Sequence, residues 1–109
     1  MARRVSRGDV WLYRFADPDK RRPVLVLSRQ DALEVMQTAL VAGITGTIRG
    51  LPTEVPLGPE HGMKTACVVN LDHVFTIRQL DLHKYVATLS REAMQSVCRA
   101  LGVATACSG

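Results

Sequence analysis

Arg21-Arg22-Pro23-Val24-Leu25-Val26-Leu27-Ser28 is the stretch of sequence that decides the fold of this chain. Its four consecutive apolar residues do not alternate with polar ones, which predicts a strand buried on both faces. Pro23 fixes φ at the strand entrance and favours an extended conformation for Arg22. The stretch therefore predicts a permanently charged guanidinium on the rim of a rigid strand, which suits recognition of a phosphate or carboxylate. A solvated arginine pair at a strand end is the alternative.

Positive charge is concentrated at the N-terminal end of the chain. The 109 residues carry a net charge of +4, and residues 1–22 hold seven basic and three acidic side chains, so the rest is neutral overall. Such an asymmetry favours a polyanionic partner, either nucleic acid or an acidic protein segment. The length predicts a single domain over residues 1–109, with an ordered core at about 6–103. With neither a membrane span nor a signal peptide in the sequence, we expect a cytoplasmic protein with no membrane partner.

The cysteines and histidines show no metal-ligand spacing, so no metal and no cofactor are predicted. Cys67 lies in an apolar stretch and Cys98 on the apolar side of a predicted helix, and both are expected to be core thiols. The remaining members of this set are Cys107, His61, His73 and His83.

Short β-prone segments follow one another at close spacing without βαβ alternation, which predicts a mainly β (α+β) fold built as a small antiparallel barrel. A short helix is expected over 29–38, capped by Ser28 or Asp31, and a longer one is expected from its cap at Ser90 to a stop at Gly102. Gly43 within a strand indicates a bulge or a close backbone approach. The predicted strands are 8–15, 24–28, 39–45, 53–57, 65–71, 74–77 and 84–89.

Four blocks of this sequence, taken together, resemble the MazF/PemK toxin family in order and spacing. With the C-terminal helix they extend over nearly all of residues 6 to 103. The blocks are Arg7-Gly8-Asp9-Val10-Trp11, Arg22-Pro23-Val24-Leu25-Val26-Leu27, Ile44-Thr45-Gly46-Thr47-Ile48-Arg49-Gly50-Leu51-Pro52-Thr53-Glu54-Val55 and Val68-Val69-Asn70-Leu71-Asp72.

This resemblance implies an SH3-like β-barrel with short helices that forms a homodimer. It also implies the toxin of a type II toxin–antitoxin system, acting as a metal-independent, sequence-selective endoribonuclease on single-stranded or unpaired RNA. The implied partners are the RNA substrate, a cognate antitoxin with an acidic segment and, through that antitoxin, operator DNA. Cleavage would proceed by attack of a 2′-hydroxyl, giving 2′,3′-cyclic phosphate and 5′-hydroxyl ends and halting translation and growth.

The resemblance also assigns roles in this chemistry. Arg22 matches the catalytic arginine of the family and is expected to stabilise the phosphorane, while Thr45 matches its threonine and offers a hydroxyl donor. The general base stays open at this point: Asp72 is the first candidate and Asp19 the second. His73 is of the residue type best suited to proton transfer near neutral pH, but its matching position looks like one that contacts a nucleobase.

The candidates for RNA binding are spread over several loops and strands. The aromatic residues show no stacking ladder along the sequence, and Trp11 is expected in the core or at a dimer interface. The candidate residues are Lys20, Arg21, Thr47, Arg49, Lys64, Asn70 and His73.

Two further functions remain compatible with these residues. One is a CcdB-like toxin of the same barrel that binds DNA gyrase without cutting RNA. The other is a non-catalytic, nucleic-acid-binding SH3-like module. Incubation with RNA separates both from an endoribonuclease.

Overall fold

The computed structural model describes residues 4–15 and 21–107, so the candidates Asp19 and Lys20 lie outside the described residues. Six antiparallel strands form one sheet in the order β4-β5-β3-β2-β1-β6, curled into a half-barrel. The predicted mainly β fold with a C-terminal helix is confirmed. The elements are β1 Asp9–Arg14, β2 Arg21–Val26, α1 Gln30–Val35, β3 Thr38–Thr45, β4 Glu54–Leu57, β5 Cys67–Arg78, β6 Leu82–Thr88 and α2 Arg91–Thr105, with short 3₁₀ turns at Pro59–His61 and Gln79–Asp81.

Strand β2 is buried on both faces of the sheet, as its apolar run predicts. Val24 and Val26 pack into one hydrophobic cluster together with Trp11, which is thereby a core residue. Leu25 and Leu27 pack into a second cluster, to which α2 contributes. Successive side chains of a strand point to opposite faces of the sheet, so an uninterrupted apolar run contributes side chains to both hydrophobic clusters.

The arginine pair lies inside β2 rather than before it. Arg21 and Arg22 pair with Arg14 and Tyr13 of β1, whereas pairing of β2 with β3 begins only at Val24. The prediction that the strand starts after Pro23 is therefore wrong, because β1 continues the ladder past the proline. Arg22 is held on one side by β1 and is exposed at the end of the sheet.

The two strands predicted at 65–71 and 74–77 are one strand, β5. Pairing with β3 jumps from Ala42↔Val74 to Gly43↔Asn70. Three residues of β5, 71–73, are therefore accommodated in a bulge opposite a single step of β3. Their polar members suggested a strand end in the sequence, but the bulge absorbs them without ending the ladder.

The helix ends differ from the predicted ones. The residue before α1 is Arg29, which makes no side-chain cap, and Ser28 instead accepts a hydrogen bond from the Leu40 N–H at 2.7 Å. Ser90 caps α2 as predicted, accepting from the Ala93 N–H at 3.1 Å. The helix passes through Gly102 and ends at Thr105, because Ala106 adopts the left-handed conformation with φ 58°.

The cysteines divide into one buried and two exposed thiols. Cys67 is buried as predicted, and burial raises the pKa of its thiol. Cys98 is exposed, so the prediction of a core thiol is wrong there. The buried face of α2 carries Val97 and Ala100, and position 98 lies about 100° further round the helix. No helix in the part of the chain that the structure describes is long and apolar enough to cross a bilayer.

Candidate active site

Two neighbouring cavities meet at Arg22 and Thr45. The first, here called the aromatic cavity, has a volume of about 360 Å³ and includes Phe15, Asn70 and His73 in its walls. The second, here called the cationic cavity, has a volume of about 770 Å³ and is lined in part by Thr47, Lys64, Thr65, Lys84 and Tyr85. Arg22, Pro23, Ile44 and Thr45 line both. The ends of β2 and β3 thus form the rim that separates the two.

Arg22 is exposed on this rim and makes no ion pair with any residue that the structure describes. The strand fixes its backbone through pairing with Tyr13, while the planar guanidinium keeps all its donors for a ligand. This arrangement suits two-pronged recognition of a phosphate group.

Thr45 ends β3 and is half-buried on the same rim. Its Oγ1 accepts a hydrogen bond from the Thr47 N–H at 3.2 Å. Because the hydroxyl acts as acceptor in that contact, its proton stays available for donation to a ligand oxygen.

The loop after Thr45 is held by Glu54, a residue to which the sequence analysis gave no role. One carboxylate oxygen, Oε1, accepts from the N–H groups of Arg49, Gly50 and Leu51 at 3.0, 2.9 and 3.3 Å. Three N–H donors on one carboxylate fix the path of a loop that contains no regular secondary structure. In the sequence, the signal for this contact was the glycine-containing loop at Gly50 with the acidic residue Glu54 four positions later.

His73 covers Gly43 at the back of the aromatic cavity. A Cβ built on Gly43 would lie 2.6 Å from the His73 Cδ2, so only glycine leaves room for the ring. The register jump between β3 and β5 falls at this same residue. Both alternatives raised for Gly43, a bulge and a close approach, are therefore confirmed, and the close approach sets the position of the imidazole.

A cluster of aromatic rings continues from His73. The His73 and Phe75 ring centroids are 4.8 Å apart, Phe75 and Phe15 follow at 5.8 Å, and Phe15 and Tyr13 at 4.9 Å. Residues distant in sequence meet here because the sheet curls, and no local pattern carries that information. The planes of these pairs are 42° to 90° apart, so the rings form a cluster of edge-to-face and tilted contacts and not a stacking ladder.

Asp72 does not line the cavity that holds Arg22 and His73. Its Oδ2 accepts from the Thr53 hydroxyl at 2.6 Å, and its N–H donates to the Asn70 Oδ1 at 3.0 Å. It lines a third cavity of about 900 Å³ beside α2. The bulge turns residues 72 and 73 to different sides, so of these two adjacent candidates only His73 shares a cavity with Arg22.

The other predicted RNA-binding residues are divided between the cavities and the surrounding surface. Lys64 and Thr47 line the cationic cavity, and Asn70 lines the aromatic one. Arg21 and Arg49 are exposed and line neither of the two. Lys84, which the sequence analysis missed, lines the cationic cavity from β6. Within residues 4–15 and 21–107, no group of three or more His, Cys, Asp or Glu could hold a metal ion.

Comparison with known proteins gives consistent matches over nearly the whole chain. Residues 6–105 match the family model described as PemK-like, MazF-like toxin of type II toxin–antitoxin system. The chain is 41% identical over 104 residues to the probable endoribonuclease MazF5 of Mycobacterium tuberculosis strain H37Rv, covering 94% of each protein. It is 37% identical over 87 residues to the endoribonuclease MazF3 of M. tuberculosis strain CDC 1551, covering 80% of this chain and 84% of that protein.

A solved structure shows the same fold. The Mycobacterium tuberculosis toxin MazF-mt6 superposes with a TM-score of 0.82 at 33% identity, over 90% of this chain and 96% of that one. The fold of the toxin therefore matches the half-barrel described above, along nearly its full length.

Proposed function

The chain belongs to the PemK-like, MazF-like toxin family of type II toxin–antitoxin systems, and we propose that it is an endoribonuclease that cuts single-stranded RNA without a metal ion. The observation that carries this proposal is the shared rim, where Arg22 and Thr45 stand together between two cavities. A strand laid across the rim brings one phosphodiester against both side chains.

The proposed reaction is an internal transfer at that phosphodiester. The 2′-oxygen bonds to the adjacent phosphorus as it loses its proton to the base. The bond from phosphorus to the 5′-oxygen breaks, and the 5′-oxygen leaves with the bonding electron pair and takes a proton from water. The products are a 2′,3′-cyclic phosphate and a 5′-hydroxyl. Negative charge on the crowded phosphorane is greatest at the transition state, where the Arg22 guanidinium stabilises it with two N–H donors. Thr45 donates a further hydrogen bond to a phosphate oxygen or to the leaving oxygen.

For the base we propose His73, because it lines the aromatic cavity together with Arg22 and Thr45. Asp72 has its carboxylate engaged by Thr53 and serves in this proposal to brace the bulge that carries His73. A general base must reach the proton that it removes, so the location of a candidate residue is a stronger criterion than its residue type.

A pH–rate comparison of two variants tests this assignment. His73→Gln is expected to lower kcat by about 10²- to 10⁴-fold, the usual contribution of a general base, and to remove the acidic limb of the profile. Asp72→Asn is expected to keep that limb and lose less activity, because it alters only the brace. A profile that changes in Asp72→Asn but not in His73→Gln would return the role to Asp72.

We assign the remaining contacts by charge and chemistry. Arg21, Arg49 and Lys64 attract the RNA backbone, while Thr47 and Asn70 offer neutral hydrogen bonds.

The type II system of the family supplies a cognate antitoxin. We propose that this antitoxin has an acidic segment, which lies along the surface that carries the three basic residues just named, and that it contacts operator DNA. We further propose a homodimer acting in the cytoplasm, where its RNA substrate is found.

Sequencing of RNA ends tests the proposed function. Purified protein is incubated with total RNA in the presence of EDTA, and fragments with 5′-hydroxyl ends are ligated and sequenced. We expect ends concentrated at one short sequence, with cyclic phosphates on the opposite fragments. RNA left intact would contradict the proposal, and growth arrest with intact RNA and inhibited gyrase would indicate a gyrase-binding toxin instead.

A further inference from the structure

The cationic cavity carries a positive charge, that of Lys84, to which the function proposed above gives no role. Lys64 comes from the segment before β5 and Lys84 from β6, so two separate parts of the chain place a lysine in the wall of one cavity. Arg22 adds a third cation from the rim. Among the residues that the structure describes, no aspartate or glutamate lines this cavity.

Neither lysine is neutralised within the part of the chain that the structure describes. The ion pairs there join Arg29 to Asp31, His61 to Glu60 and Arg78 to Asp81, and both lysines are exposed. The two positive charges beside this cavity repel each other, whereas an anion bound between them is attracted by both. The hydroxyls of Thr47 and Thr65 line the same space and can donate to such an anion.

The two cavities also differ in what they can hold. The aromatic cavity includes the ring of Phe15 in its wall, and an aromatic ring suits a nucleobase. The cationic cavity offers ammonium and hydroxyl groups, which suit a phosphate. Because both open onto the rim with Arg22, a strand whose reacting phosphate lies on the rim has a neighbouring phosphate at the cationic cavity.

We propose that the cationic cavity binds a second backbone phosphate of the RNA strand, next to the one that is cut, and that Lys84 together with Lys64 holds it. This inference rests on the proposed function, since it takes single-stranded RNA as the ligand. It adds Lys84 to the binding residues and fixes the course of the strand: from the aromatic cavity over Arg22 and Thr45 into the cationic cavity.

The salt dependence of binding tests Lys84 directly. The probe is a fluorescent 2′-O-methyl RNA octamer of mixed sequence, which cannot be cut because its 2′-oxygens are blocked. Each phosphate contact on a single strand contributes about 0.7 to the slope of log K against log salt concentration. Lys84→Ala is expected to weaken binding about three- to tenfold at low salt and to reduce that slope by about 0.7.

Two further variants separate a defined contact from a general loss of charge. Arg91→Ala removes one positive charge at the exposed start of α2, away from both cavities, and is expected to leave the slope unchanged. Lys84→Arg keeps a cation and is expected to retain most of the affinity. An unchanged slope in Lys84→Ala, or an equal loss in Arg91→Ala, would overturn the inference.

Kinetics on an RNA that the protein cuts keep this inference separate from the proposed function. Lys84→Ala is expected to raise KM with little change in kcat, because a contact away from the reacting atoms binds ground and transition states alike. Cleavage with an unaltered KM would overturn the role of Lys84 alone. If Lys84→Ala loses octamer binding but the unaltered protein cuts no RNA, the endoribonuclease proposal is overturned and the phosphate site stands. If Lys84→Ala binds an acidic peptide more weakly but still binds the octamer normally, the cavity binds a protein segment and the inference is overturned.

Discussion

At the scale of single residues, the space beside Gly43 is already occupied by the ring of His73. An added methyl group would lie 2.6 Å from the imidazole Cδ2, and since His73 is exposed, the ring can swing out of the aromatic cavity. Gly43→Ala is therefore expected to reduce kcat by about 10²-fold, as misplacement of a catalytic group does, with a small change in Tm.

Combining this substitution with His73→Ala shows whether the effect passes through the ring. The double variant Gly43→Ala/His73→Ala is expected to be no slower than His73→Ala alone, because the displaced group is absent in both. Cleavage rates and thermal unfolding of the three variants give the answer. Additive losses would mean that Gly43 acts on something other than His73.

Among these residues, the sequence reveals some positions and conceals others. Arg22 and Thr45 were accessible because each stands at the end of an apolar strand and matches a family block. The separation of Asp72 from His73 was not accessible, since it depends on the pairing jump opposite Gly43. Lys84 was missed because β6 joins the sheet on the far side of β1, and nothing local signals that neighbour.

At the scale of elements, the loop between β3 and β4 depends on one carboxylate. Glu54→Ala removes the acceptor shared by the N–H groups of Arg49, Gly50 and Leu51. We expect faster amide hydrogen exchange at these three positions and a KM raised several-fold, because the loop that follows Thr45 loses its fixed shape.

Glu54→Gln is the matched variant, since an amide oxygen accepts in the same place without the charge. Its exchange rates and KM are expected to fall between those of Glu54→Ala and the unaltered protein. Exchange in Glu54→Ala as slow as in the unaltered protein would show that the loop is held by other contacts.

The helices and strands were predicted correctly where burial determines the pattern of apolar and polar residues. The run Val24 to Leu27 and the cap at Ser90 are confirmed because each depends on local sequence. β5 was divided wrongly, since a bulge keeps polar residues inside a strand when its neighbour continues to pair. α2 passes Gly102 because Cys107 and Ala106 complete its last turn, donating to carbonyls of Gly102 and Val103.

At the scale of the whole molecule, Asp9 ties the N-terminal segment to β1 and β6, the two strands at one edge of the sheet. It is 1% exposed and accepts from the Ser6 N–H at 2.9 Å, the Trp11 Nε1–H at 3.2 Å and the Thr88 hydroxyl at 2.8 Å. These donors come from the N-terminal segment, β1 and β6. The carboxylate thereby holds these three parts of the chain together at this edge of the sheet.

Removing this carboxylate is expected to lower the free energy of unfolding. Asp9→Ala removes the acceptor of three donors, of which the Trp11 Nε1–H is buried, at a cost of about 3 kcal/mol, and Asp9→Asn costs about half as much because one acceptor oxygen survives. Urea denaturation measures both, with the midpoint shifting and the m-value unchanged. A shift below about 0.5 kcal/mol in Asp9→Ala would show that water replaces the lost contacts.

The central claim is that Arg22, standing with Thr45 on the shared rim, carries the cleavage of RNA. The most direct measurement is the single-turnover cleavage rate of a mapped RNA by Arg22→Ala and Arg22→Lys, with Arg91→Ala as the charge-matched control. Both Arg22 variants are expected to lose at least about 10²-fold in rate while keeping the Tm of the unaltered protein, and the control is expected to cut normally. A folded Arg22→Ala protein that cuts at the full rate would contradict the account.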